Sequence, residues 1–231
     1  MRIWCKRQLT LIYKLREIMR KLNVIVATLM FIAFTNVKAE MQYGFGLIAG
    51  QTSVDGTETE GSAADTSNRS KSIEELFVGG DIFAEYISSG GITYGVSLVP
   101  FDIEIGDGSR TDTSTGADIA SEADTGTRKA SAEISNLITL YTNIPMGTNG
   151  WYGLLGYHRT TVETSETLNE STYGNKTIDG YQVGVGVKSG KLKYEFSYSD
   201  FEDINLNTDN GGDNSISANA DALSFRMSYA F

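Results

Sequence analysis

The chain has 231 residues, with 19 Lys and Arg against 29 Asp and Glu, and a formal net charge of −10. This acidic balance argues against nucleic-acid binding, which requires a basic face. The only cysteine is Cys5, so residues 40–231 can form no disulfide and offer no thiolate for catalysis or metal binding.

The first 39 residues predict a secretory signal peptide. A basic start is followed by an apolar run over residues 22–34 and by Val37-Lys38-Ala39, which fits the small-x-small cleavage pattern. The run is shorter than the roughly 20 residues of a typical spanning helix, although a retained membrane anchor is the alternative. Because a complete signal begins at Met19, we expect translation to start there.

Cleavage after residue 39 makes the remaining chain much more acidic. The leader holds 8 of the 19 basic residues and 1 of the 29 acidic residues, which leaves 11 basic and 28 acidic residues in 40–231. The net charge of the remaining chain is therefore −17.

Alternation of apolar and polar residues predicts eight strands after the leader. Successive side chains of a strand point to opposite faces, so an apolar residue at every second position marks one apolar face. Ile134, Ile138, Leu140 and Ile144 are expected to share such a face in the fourth strand. In chain order, the predicted strands are 41–54, 73–87, 92–105, 132–144, 151–163, 177–188, 191–203 and 221–231.

The connections between these strands alternate in length, which predicts an eight-stranded antiparallel up-and-down transmembrane β-barrel, all-β, with both ends on the periplasmic side. A soluble lipocalin-like barrel or sandwich is the alternative. It is disfavoured because the charged strand residues share a face with Gly and Ser, as expected for a polar lumen. Short turns are predicted at 88–91, 145–150 and 189–190, and long polar loops at 55–72, 106–131, 164–176 and 204–218.

The lumen-facing positions predict a charged network. Glu195 lies five residues after the Ser189-Gly190 turn and Arg226 five residues before the carboxy-terminus, so the two are expected to pair, with Lys193 nearby. Asp81 and Glu85 of the second strand face the same space. Unpaired burial would cost several kcal/mol per charge, so we expect these five side chains to plug the lumen; a conducting pore is the alternative.

Three residues fit this pattern poorly. By parity, Phe77 and Phe83 would face the lumen and Asn136 would face the lipid. A local β-bulge is the only explanation that the sequence suggests.

Aromatic residues near the predicted strand ends indicate interfacial belts. Ordinary β-propensity is the alternative explanation. The belt on the short-turn side would contain Tyr43, Tyr86, Tyr94, Trp151, Tyr152, Tyr194, Tyr229 and Phe231, and Tyr157, Tyr181 and Phe201 would form the belt near the long loops.

The last strand alternates strictly and ends on an aromatic residue. Phe225, Met227, Tyr229 and Phe231 occupy every second position, with polar or small residues between them. This tail resembles the carboxy-terminal assembly signal of bacterial outer-membrane barrels.

We expect no catalytic, cofactor or metal site. The acidic stretches 55–60 and 209–214 offer oxygen ligands, but neither matches the spaced calcium-loop pattern. The only histidine, His158, is flanked by no catalytic motif. These stretches are therefore expected to form a solvated surface outside the cell.

Signal, strand number, loop asymmetry and aromatic tail together resemble the small outer-membrane β-barrel superfamily, which includes OmpA-like transmembrane domains, OmpX-like proteins and opacity proteins. The resemblance implies a Gram-negative outer-membrane location, export through the periplasm, and contacts with periplasmic chaperones, the barrel-assembly machinery and the lipid bilayer. It implies a structural or surface-interaction role, with an extracellular partner at the acidic loops. A narrow porin-like channel is the second hypothesis and a lipid-modifying enzyme the third. With no peptidoglycan-binding domain after the barrel, tethering to the cell wall is not expected.

Overall fold

The computed structural model describes residues 40–60, 67–113, 125–166, 173–208 and 214–231. The expected signal peptide and start at Met19 lie outside these residues. Within the described part of the chain, no helix is long and apolar enough to cross a membrane. The strands are β1 (Glu40–Glu60), β2 (Ser67–Ile87), β3 (Thr93–Leu98), β4 (Ile103–Thr113), β5 (Thr125–Pro145), β6 (Trp151–Glu166), β7 (Lys176–Ser189), β8 (Leu192–Phe201), β9 (Ile204–Asn207) and β10 (Ser215–Ala230).

These segments form a closed antiparallel barrel of eight strands, as the sequence predicts. β3 and β4 both pair with β5, and β8 and β9 both pair with β10, so each of these two pairs is a single barrel strand with a break. β1 pairs with β10 from Gly44–Ala230 to Thr59–Ser215, which closes the ring. The break between β3 and β4 contains Pro100, which has no N–H to donate to a ladder.

Most strands extend beyond their predicted ends, and the prediction of long loops is wrong for part of each of the ranges 55–72, 106–131, 164–176 and 204–218. β1 continues to Glu60, β5 already begins at Thr125, and β10 begins at Ser215. These extensions are rich in Ser, Thr, Asp and Gly, which the sequence analysis assigned to loops.

A β-bulge in β5 reverses the side-chain parity of that strand. Asn136 has a φ of 54°, and the β5–β6 register shifts between Ser135 and Ile138. On the carboxy-terminal side of the bulge, Ile138 is exposed. On its amino-terminal side, Ile134 is buried and lies opposite Val162. The prediction that Ile134 shares a face with Ile138 is therefore wrong, because the extra residue turns it inward.

The polarity of the wall inverts along the barrel axis. We call the part between the short turns and the level of the Tyr157–Tyr181 pair the lower barrel, and the rest the upper barrel. Outward residues of the lower barrel are large and apolar, whereas those of the upper barrel are polar, for example Asp55, Asp200 and Asn219. The interior shows the opposite change: it contains charged residues in the lower barrel and the apolar core in the upper barrel. This core contains Ile105, Ile134, Val162, Tyr173, Ile178, Ile204, Leu206, Ala218 and Ala220.

One seam of the upper wall is held by side chains. In the described residues, β4 pairs with β5 but forms no backbone ladder with β2 on its other side. Lys71 Nζ of β2 instead donates to the Asp107 carbonyl oxygen of β4 at 3.0 Å. Residues of both strands at this seam line a cavity described below.

Candidate functional site

Arg226 is the centre of the lower lumen. Its Nη1 donates to Glu195 Oε2 at 2.6 Å, and β10 and β8 pair these two residues directly. Its Nε and Nη2 reach the two oxygens of Asp81 on β2 at 3.0 and 2.7 Å. One planar guanidinium thus holds two carboxylates from two different strands, and it binds Asp81 through two parallel bonds.

A second ion pair and two phenols complete the network. Lys193 pairs with Glu85, whose Oε1 also accepts a hydrogen bond from the Tyr141 hydroxyl at 2.7 Å. The Tyr152 hydroxyl donates to Glu195 Oε1 at 2.9 Å. The structure therefore brings all five predicted lumen residues together and adds Tyr141 and Tyr152. The assignment of Tyr152 to the aromatic belt is wrong, because its buried hydroxyl bonds Glu195 inside the lumen.

The charged side chains of the network are buried, and each of them has an ion-pair or hydrogen-bond partner. Asp81, Glu85, Lys193 and Glu195 are each at most 3% exposed. Three carboxylates face two cations, and the phenol donors supply further hydrogen bonds to Glu85 and Glu195. A buried polar network with its members satisfied holds a site rigid, so this arrangement suits a plug.

An inward-facing phenylalanine lies under the two cations. The ring centroid of Phe83 is 4.9 Å from Lys193 Nζ and 4.7 Å from Arg226 Cζ. Cations over an aromatic face are attracted by its quadrupole. Gly44 on β1 leaves the space that this ring occupies, since a Cβ there would overlap it. These two cations account for the inward parity of Phe83, for which the sequence suggested only a local β-bulge.

His158 lies above the network and is held on three sides. Its Nδ1 is 2.8 Å from Thr139 Oγ1 and its Nε2 is 2.9 Å from Ser199 Oγ. Its ring stacks on Phe201 with a centroid separation of 5.5 Å. The assignment of Phe201 to an outer aromatic belt is wrong, because this side chain points into the lumen. His158 and the network both line a lower cavity of about 100 Å³.

The predicted belt residues divide by exposure. Tyr43 and Trp151 are exposed, and Tyr94 and Tyr194 are half-buried. Tyr86 is buried and lies opposite Tyr94 in the ladder, with its ring centroid 6.5 Å from that of Tyr94.

The carboxy-terminal residues form an outward aromatic cluster with β1. Phe225, Met227 and Phe231 are exposed on the wall. The Tyr229 ring is 6.2 Å from Phe45 and 5.5 Å from Phe231. Phe231 N donates to the Tyr43 carbonyl oxygen at 2.8 Å, so the last residue is still joined to the first strand.

The upper barrel contains a cavity of about 480 Å³, which the sequence analysis did not anticipate. Its inner walls belong to the apolar core, and residues near its upper edge include three cations. The apolar lining is Val54, Ile73, Ile105, Ala132, Val162, Ile204, Leu206, Ile216 and Ala218, and the charged lining is Glu58, Arg69, Lys71, Asp107 and Lys129.

The acidic stretch 55–60 belongs to β1 and is hydrogen-bonded within the wall. Asp55 accepts a hydrogen bond from Ser72, and Glu58 Oε1 accepts one from the Tyr173 hydroxyl at 2.8 Å. The described residues contain no group of three or more His, Cys, Asp or Glu arranged for a metal ion. Most of the second acidic stretch, 209–214, lies outside the described residues.

Comparison with solved structures finds outer-membrane and surface proteins. Neisserial surface protein A matches with 13% identity and a TM-score of 0.42 over 84% of this chain and all of that one. OprG of Pseudomonas aeruginosa matches with 11% identity and a TM-score of 0.46 over 81% and 95% of the two chains. The Escherichia coli protease OmpT matches with 11% identity and a TM-score of 0.41 over 85% and 99%.

No protein-family model matches the chain. Comparison with curated proteins also gives no match. At such low identity and TM-score, these similarities say nothing about the activity of this chain.

Proposed function

We propose that this protein is an integral outer-membrane β-barrel whose lumen is closed by side chains and whose protruding upper barrel is a surface for interaction outside the cell. The observation that carries the proposal is the inversion of wall polarity. The lower barrel is apolar outside and charged inside, which suits a wall surrounded by lipid. The upper barrel is polar outside and apolar inside, which suits a wall surrounded by water.

The outward side chains of the lower barrel make a watery environment unfavourable for it. Leu47, Leu155, Val183 and Phe196 are each more than half exposed, and transfer of such a side chain out of water stabilises by about 1.5–3 kcal/mol. Soluble monomers rarely expose contiguous apolar patches of the size that a whole ring of such residues creates. A lipid bilayer would surround this ring of apolar side chains and remove it from water.

The charged network favours a closed lumen over a narrow channel. Eight strands leave an interior just wide enough for side chains to fill it. Here Arg226 joins carboxylates of β2 and β8, and Tyr141 and Tyr152 of β5 and β6 reach into the same network. Because bonds come from several sides, the residues span the lumen rather than line one wall.

The surface role is supported by the charge of the upper barrel. Asp55, Asp179, Asp200 and Asp221 lie on its outward face, and residues 40–231 carry a net charge of −17. Complementary potentials steer encounter between proteins. A partner with a cationic surface is therefore favoured.

Single-channel recording of residues 40–231 in a planar bilayer tests the closed lumen. We expect no conductance steps from a population whose insertion is verified by a heat-dependent gel shift. Discrete steps in the wild-type protein that change with Arg226→Ala would contradict the closed lumen and establish the channel alternative.

A further inference from the structure

We propose that the upper cavity binds a single-chain anionic amphiphile, with its alkyl chain among the apolar lining and its carboxylate or phosphate near Arg69, Lys71 and Lys129. This site goes beyond the proposed membrane and surface role. It depends on the upper barrel alone, and its binding test is independent of conductance.

The apolar lining calls for an apolar occupant. Protein interiors are packed with few voids larger than a water molecule, yet about 480 Å³ remain unfilled between side chains such as Val162, Leu206 and Ile216. Ligand pockets typically measure about 300–1,000 Å³ and are lined mainly by apolar residues with a few polar groups. A sugar or peptide here would bury hydroxyl or amide groups without partners.

The charges around the cavity call for an anionic head group. Three of the 11 basic residues in 40–231 line this one cavity. Of its two carboxylates, Glu58 is engaged by the Tyr173 hydroxyl. Lys71 is held at the β2–β4 seam by its bond to the Asp107 carbonyl, and an ammonium has three N–H donors, so it can also bind an anion.

The lower cavity provides an internal contrast. It measures about 100 Å³ and is lined by Asp81, Glu195 and Arg226 as well as by His158. Its charges are already paired with one another. The upper cavity is larger, and Lys71 at its edge has N–H donors beyond its bond to the Asp107 carbonyl oxygen.

Calorimetric titration of the barrel in lipid nanodiscs tests the proposal, with hexanoate, octanoate and decanoate as probes. Each methylene buried should tighten binding by about fourfold until the cavity is full. Octyl phosphate should bind like octanoate, and neutral octanol more weakly. Empty nanodiscs of the same lipid measure partition into the bilayer.

Two pairs of variants separate the cavity from the rest of the protein. Ala218→Phe fills the cavity and should abolish saturable binding, whereas Ser217→Phe, on the adjacent outward position, should retain it. Lys71→Gln should weaken octanoate but not octanol, and Lys191→Gln, on the short-turn side, should change neither. If Ala218→Phe loses the folded gel shift, Gly56→Leu replaces it, since a Cβ at Gly56 meets its nearest atom at an ordinary 3.6 Å.

Uptake of octanoate that is equal in wild type and the cavity-filling variant would place the probe in the bilayer and overturn the site. Equal affinity for octanoate and octanol would overturn the assignment of the head group. Conductance by the wild-type barrel would instead contradict the proposed closed lumen, which leaves the two failures distinguishable.

Discussion

Arg226 connects three strands through one planar group. Its fork geometry matches the two oxygens of Asp81, and its Nη1 donates to Glu195. A lysine at this position would carry the same charge but not the paired donors. The identity of the residue, and not only its charge, therefore determines how the two carboxylates are satisfied.

Arg226→Ala should lower the free energy of unfolding by about 3–5 kcal/mol, because it leaves two buried carboxylates without their cation. Arg226→Lys should fall between this variant and wild type. Urea unfolding in lipid vesicles measures the difference. The matched control is Arg159→Ala, which removes an exposed Arg159–Asp179 pair at 3.1 Å and should leave the free energy of unfolding nearly unchanged. Equal losses for the two alanine variants would contradict the role of the network.

Glycines opposite lumen-facing tyrosines are a second residue-scale determinant. A Cβ at Gly95 would overlap the Tyr141 ring, and a Cβ at Gly186 would overlap the Tyr152 ring. Gly95→Ala and Gly186→Ala should each destabilise the barrel by about 1–3 kcal/mol, as overpacked cores do. Gly153→Ala is the control, since nothing lies within 4 Å of a Cβ there. Thermal unfolding of the three variants should separate the first two from the third, and identical behaviour would count against this packing.

Some of these residue contacts were predictable and some were not. Counting from the turn and from the carboxy-terminus places Glu195 opposite Arg226, and the register pairs them. Tyr152 sits next to Trp151, and its position among strand-end aromatics favoured an interfacial belt. The alternation of side chains along the strand would have predicted the correct orientation. Because Trp151 faces outward, its neighbour Tyr152 points into the lumen.

At the scale of elements, strand number was predictable and strand length was not. Alternation and short turns define eight strands, because both depend on local chemistry. Strand ends were wrong because the residues that continue the strands are largely polar, whereas the inward positions of the β10 extension are the small or apolar Ile216, Ala218 and Ala220. In the sequence, a strand of this composition resembles a polar loop. It is recognised as a strand only if the barrel is expected to continue into water, with its own interior.

The bulge at Asn136 makes an element-scale prediction. Its φ of 54° lies in the left-handed region, which Asn and Gly tolerate and β-branched residues do not. Asn136→Gly should therefore be nearly neutral, whereas Asn136→Val should destabilise by about 1–3 kcal/mol. Urea unfolding of both variants in vesicles measures this. An Asn136→Val barrel as stable as the glycine variant would show that the bulge is not required.

The same bulge matters to the apolar core. By reversing the parity of β5, it turns Ile134 into the apolar core while Ile138 remains on the outer wall. The outward parity of an asparagine in an otherwise apolar stripe was the sequence signal for this change. The sequence alone did not show on which side of Asn136 the parity would reverse.

At the scale of the whole molecule, one barrel combines two opposite arrangements of polarity. The lower barrel uses charge inside and apolar residues outside, and the upper barrel uses the reverse. The boundary between them lies near the Tyr157–Tyr181 pair, whose rings are 5.9 Å apart. We infer that this level marks the outer surface of the bilayer, so the upper barrel stands in water above it.

Spin-label accessibility along β10 tests this central claim most directly. Labels at Leu223, Phe225 and Met227 should be reached by oxygen dissolved in the bilayer, whereas labels at Ser217 and Asn219 should be reached by a water-soluble nickel complex. All five positions lie on the outward face of the same strand. A sharp change between Asn219 and Leu223 is the predicted result. Access by the nickel complex at all five positions would contradict a membrane-spanning lower barrel.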